Sequence, residues 1–153
     1  MTNSTTTTLT PQTLRIICTS LGLEVTDLEE LFGVAHRTVT RWMSNTTAPA
    51  GVQKQIRAFQ AAVSAHNEAA LTEIDEALGA GPADTVVVFA RYPIERMMPG
   101  QDSDDQIWLH SPRTWDAMLG RLLNTLTEQG VAAQVVTVDQ PAPLYTLHTP
   151  DEA

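Results

Sequence analysis

Apolar positions recur at helical spacing along the first half of the chain and in a mixed pattern along the second. Thr10 and Pro11 mark a helix start: a hydroxyl cap, then a proline at the first helical position. Leu14, Ile17, Cys18 and Leu21 follow at i, i+3, i+4 and i+7, a single stripe that Gly22 ends. A second helix is predicted from about Val25 to Phe32, with Leu28, Leu31 and Phe32 inward and Asp27 near its positive end. Gly33 turns the chain into a third helix, about Ala35 to Ser44, anchored by Val39 and Trp42. Asn45 is expected to close it in the left-handed conformation. After the loop Thr46–Ala50, a new stripe of Val52, Ile56, Phe59 and Val63 begins. Leu71, Ile74 and Leu78 continue it to Gly79-Ala80-Gly81-Pro82, as one long helix or two in tandem.

Beyond Pro82 the period changes. Thr85–Tyr92 is β-branched and aromatic and reads as a buried strand; Gln106–His110 and Ala133–Val138 read as two more. Between them Ser111-Pro112 starts a helix whose Trp115, Met118, Leu119, Leu122 and Leu126 form a broad apolar face, ending at Gly130. The predicted fold class is α+β, an all-α N-terminal bundle followed by a small three-stranded unit. The expected boundaries are a disordered tail at 1–8, a helical unit at 9–63, a connecting helix at 64–82, an α+β unit at 83–139 and a tail at 140–153. Within that last segment Leu144–His148 is a candidate edge strand.

Composition narrows the function classes. Of 153 residues, 42% are hydrophobic, enough for a buried core. The single cysteine, Cys18, allows no internal disulfide and fits a reducing compartment. The polar N-terminus does not resemble a signal peptide, and no apolar run approaches the roughly 20 residues of a membrane helix, so a soluble cytoplasmic protein is expected, with no membrane partner. The net charge of −9 is unevenly divided. Residues 1–60 carry five Lys and Arg against four Asp and Glu, or +1; residues 61–153 carry four against fourteen, or −10. Any attraction to a polyanion therefore has to come from clusters within a Debye length, roughly 8 Å in physiological salt. The acidic half reads as a solvated surface.

The four histidines, at 36, 66, 110 and 148, lack metal-site spacing. The acidic group Asp102, Asp104 and Asp105 lacks the glycine and terminal glutamate of a calcium loop. No nucleophile–base set, phosphate loop or dinucleotide fingerprint is evident, so neither an enzyme nor a cofactor is expected.

The stretch Leu21 to Asn45 carries the most specific signal. A short helix, a glycine turn and a second helix bearing His36, Arg37, Thr40 and Arg41 have the form of a helix-turn-helix. Over about 25 residues it resembles the Xre/Cro family of regulators, without a gap, through Leu21, Gly22, Leu23, Leu28, Gly33, Val34, Thr38, Val39 and Trp42. The departures matter. Glu24 and Val25 replace the usual Thr and Gln, Glu29 replaces a small Ala, and Ala35 replaces a capping Ser, a loss of about 1 kcal/mol. Cys18 and Met43 stand where many members pair an Arg with a Glu; changing both strands no charge. Leu23–Gly33, with the order of elements, is similar to the anti-CRISPR-associated regulators, which imply a strand-rich dimerisation domain and autoregulation of a phage operon.

By position, the resemblance implies that His36, Arg37, Thr40 and Arg41 face bases. An arginine suits the two acceptors of guanine. Thr38, Ser44, Asn45, Thr46 and Thr47 would lie near the sugar–phosphate backbone, with Lys54 and Arg57 flanking the groove. Val87, Phe89, Trp108, Trp115, Met118, Leu119 and Leu122 are the candidate dimerisation residues. The expectation is a homodimeric, sequence-specific repressor on double-stranded DNA with an inverted repeat. Two alternatives stay open: an antitoxin-like regulator whose acidic half captures a protein, and an RNA-binding translational regulator.

Overall fold

The computed structural model describes residues 8–150 and carries five helices and a three-stranded sheet. The expected tail at 1–8 lies, save for Thr8, outside the described residues. The order is α1 (Pro11–Ser20), α2 (Val25–Phe32), α3 (His36–Trp42), α4 (Ala50–Gly79), β1 (Val86–Arg91), α5 (Pro112–Glu128), β2 (Ala133–Thr137) and β3 (Tyr145–His148). The chain divides into two units, Met1–Gln60 and Ala61–Ala153.

In the first unit the helix starts follow from the sequence. Thr10 Oγ1 accepts the Thr13 amide at 3.1 Å, and Pro11 occupies the first turn of α1. At α2 the buried Asp27 carboxylate accepts the Glu24 amide at 2.7 Å, so Asp27 caps the helix in place of the usual residues. Gly33, at φ +62°, ends α2 in the left-handed region, where a side chain would be strained. Ala35 contributes no side-chain cap to α3, as its residue type dictates. The end of α3 differs from expectation. Positive φ is confined to glycines among the described residues, so Asn45 is not left-handed. Instead the amides of Ser44, Asn45 and Thr46 converge on the Arg41 carbonyl at 3.1, 2.9 and 2.8 Å, closing the helix without a change of hand.

Leu14, Leu28, Val39 and Ile56 fill this unit's core, with Phe59 and Trp42 beside them. The Phe32 ring meets Trp42 edge-on, centroids 6.1 Å apart. Cys18 is buried, and desolvation pushes its thiol up to about 12, which leaves it inert and structural.

Helix α4 is one uninterrupted helix of 30 residues. Ile56 and Phe59 lie in the first unit's core, whereas Ala70 and Ile74 belong to the core of the second. The stretch 64–82 therefore supplies core, beyond connecting two parts.

In the second unit β1 is central, parallel to β2 and antiparallel to β3. One expectation is corrected. Gln106–His110 forms no strand; Ile107–Leu109 is a single 3-10 turn. The preceding acidic loop folds back on Gln106, whose Oε1 accepts the Asp102 amide at 2.6 Å and whose carbonyl accepts Gln101 Nε2 at 2.8 Å. These local bonds leave no extended segment before Ser111 caps α5. Within 140–153 the candidate edge strand forms: Tyr145–His148 pairs at the sheet edge and supplies the third strand. The α+β class and the strand number stand with different membership.

Helix α5 packs on the sheet face that carries Val87 and Phe89. Trp115 Nε1 donates to the Ala90 carbonyl at 2.8 Å, and Tyr92 meets the Trp115 ring edge-on at 5.1 Å. The Arg91 guanidinium grips Asp116 with two nitrogens at 3.0 Å. This core contains most of the expected dimerisation set. Val87, Phe89, Trp115, Met118, Leu119 and Leu122 are only 0–4% exposed within one chain. Trp108 is half-buried, its ring 4.3 Å from that of His66. The apolar area of those six is already covered within one chain, and Trp108 keeps part of its surface exposed. No helix among the described residues is long and apolar enough to cross a membrane.

Candidate nucleic-acid interface

The seven-residue helix α3 has an inner and an outer side. Val39 and Trp42 are buried, Thr38 and Thr40 are half-buried, and His36, Arg37 and Arg41 are exposed. Arg37 and Arg41 stand four apart, so they share one face. At about 1.5 Å per residue the helix spans roughly 10 Å, short enough to lie within a major groove.

Three hydroxyls on this surface already have acceptors. Thr40 Oγ1 donates to the carbonyls of Arg37 and His36 at 3.0 and 3.2 Å, and Ser44 Oγ donates to the Thr40 carbonyl at 2.7 Å. Thr46 Oγ1 donates to Asn45 Oδ1 at 3.0 Å. With its proton committed, Thr40 offers a methyl group and lone pairs, a surface suited to apolar contact with thymine. Ser44, Asn45, Thr46 and Thr47 are exposed after the helix. Lys54 is exposed and Arg57 half-buried on α4.

Two features escaped the sequence reading. The first is a hydrogen bond across the turn: His36 Nδ1 lies 2.9 Å from Glu29 Oε2. Glu29 stands out in the sequence as an oversized residue between helices; its seven-residue separation from His36, folded about Gly33, was the available signal. The second is Arg15, exposed on α1 opposite the inward pair Leu14 and Cys18. It shares a cleft of about 490 Å³ with Thr40, Met43 and Ser44, which puts a further cation beside the end of α3. Its alternation with the apolar stripe marked it as a surface residue.

Arg15, Arg37, Arg41 and Lys54 are the exposed Lys and Arg residues within 8–60. Of the four acids there, Asp27 is buried on the Glu24 amide and Glu29 is paired with His36. Both acids keep their negative charge, so the sum for those residues stays at +1 and any attraction to a polyanion rests on where the exposed cations lie. No family model matches the chain, and no curated protein sequence matches it.

Proposed function

We propose that this chain is a sequence-specific DNA-binding repressor that acts in the cytoplasm as a homodimer on an inverted-repeat operator. The observation that carries the reading is α3: a short helix anchored by Val39 and Trp42, with Arg37 and Arg41 exposed together on its outer face. The resemblance to Xre/Cro and anti-CRISPR-associated regulators supports autoregulation of a phage operon as its setting. With few cations per protomer, phosphate neutralisation alone gives weak binding, and a second protomer is needed. The test is selection of bound duplexes from a random pool by the purified full chain. The expected product is an inverted repeat with half-site centres about 34 Å apart, one helical turn. An unstructured or unenriched pool would reject the reading.

The second copy has a surface to use. Register puts Val86, Val88, Ala90, Gln134, Val136, Thr146 and His148 on the sheet face opposite Val87 and Phe89. Val136 is 48% exposed, and none of the seven carries a carboxylate or an Arg or Lys charge. The rest of residues 61–153 carries −10, so pairing two copies through any charged face opposes like charges. Sheet-to-sheet pairing through the uncharged face avoids that cost. Val136→Glu should convert dimer to monomer by light scattering, with unchanged circular dichroism because the side chain is exposed. A variant that stays dimeric would remove this face from the account.

A further inference from the structure

We infer that the Glu29–His36 pair makes operator binding take up a proton, so that affinity rises as pH falls. This inference rests on the DNA-binding reading above. Glu29 Oε2 sits 2.9 Å from His36 Nδ1. An ionised carboxylate only accepts hydrogen bonds, so Nδ1 keeps its hydrogen in both charge states of the ring. Nε2 is then the nitrogen that changes. In the neutral ring it is an acceptor; in the imidazolium it is a donor. The His36 side chain is 66% exposed, so Nε2 is within reach of a ligand.

DNA offers acceptors at the positions this residue can reach: phosphate oxygens and the N7 and O6 edge of guanine. Against these a neutral His36 presents a lone pair, and Glu29 adds an uncompensated negative charge beside a polyanion. Protonation corrects both at once. It supplies an Nε2–H donor and neutralises the carboxylate. The bound state therefore favours the imidazolium more than the free state does, and linkage requires that lower pH tighten binding. The neighbouring charges are few. Helix α2 also carries Asp27, capped on the Glu24 amide, and Glu30; α1 carries Arg15; α3 itself carries Arg37 and Arg41. The arginines keep their charge throughout this range.

The test is an anisotropy titration of the full chain on the selected duplex from pH 5.5 to 8.5, with calorimetry in two buffers of different ionisation enthalpy. Wild type is expected to weaken by up to about tenfold per pH unit per protomer on the alkaline limb, with about one proton taken up per protomer. His36→Gln should flatten the profile. Glu29→Gln keeps the imidazole but no longer fixes its hydrogen on Nδ1, so a neutral ring can donate from Nε2 and the slope should shrink; this variant decides the matter if His36→Gln binds too weakly to measure. A slope shared with an unrelated duplex identifies the acceptor as phosphate, and a slope confined to the operator identifies it as a base. Tight binding with a flat wild-type profile and no proton uptake, or a slope that persists in His36→Gln, overturns this inference alone. Failure to bind any duplex at any pH overturns the DNA-binding reading with it.

Discussion

The double variant Arg37→Ala, Arg41→Ala is expected to lose specific operator binding while remaining folded. Each arginine is exposed, so neither contributes to the core. Surface changes of this kind typically alter stability by no more than about 0.5 kcal/mol. A bidentate contact to guanine is worth about 1–3 kcal/mol of discrimination. Each single variant should then weaken the selected duplex by roughly 5- to 150-fold, and the double variant should bind it no better than an unrelated duplex. Arginine to lysine at either position keeps the charge and loses the fork, so it should retain the salt dependence and lose base preference. Anisotropy titrations on the selected and scrambled duplexes separate these outcomes. Wild-type affinity in the double variant would remove α3 as the reading element.

The largest stability effect is expected at Trp115. Its ring is buried against Tyr92, and its Nε1 is the partner of the Ala90 carbonyl in the central strand. Trp115→Ala should cost about 3–5 kcal/mol through lost contacts and the cavity left behind. That is a large share of the roughly 5–15 kcal/mol that stabilises a typical domain. Trp115→Phe keeps most of the packing but leaves the Ala90 carbonyl without its donor, for about 1–3 kcal/mol. Chemical denaturation followed by far-ultraviolet circular dichroism measures both. The order expected is wild type, then Phe, then Ala. Equal stability of all three would mean that this side chain does not hold α5 to the sheet.

Much of the local architecture was legible because it rests on near-neighbour chemistry. Thr10-Pro11 and Ser111-Pro112 start helices by hydroxyl caps, and Gly33 turns where only glycine is unstrained. The stripe of Trp115, Met118, Leu119, Leu122 and Leu126 placed α5. What was not legible depended on partners distant in sequence. Ile107-Trp108-Leu109 has strand-like composition, but Gln106 binds the preceding loop and the segment closes into a 3-10 turn. Tyr145–His148 was readable as a candidate edge strand, but its partner, Val86–Phe89 some sixty residues earlier, was not. The same reason explains the dimerisation set: apolar residues in a pattern mark burial, and only the three-dimensional arrangement tells whether the cover is one's own chain or another. At the candidate site, resemblance supplied the positions on α3, while the Glu29–His36 contact arises from one of the departures.

One measurement tests the central claim most directly. The full-length protein is titrated, at physiological salt, onto the duplex enriched from the random pool, a base-scrambled duplex of equal length and a single-stranded RNA copy. The account predicts that the enriched duplex binds at least about 10³-fold more tightly than the scrambled one, the lower range for specific recognition, and that the RNA does not compete. Equal affinity for the two duplexes, or preferential binding of the RNA, would contradict it.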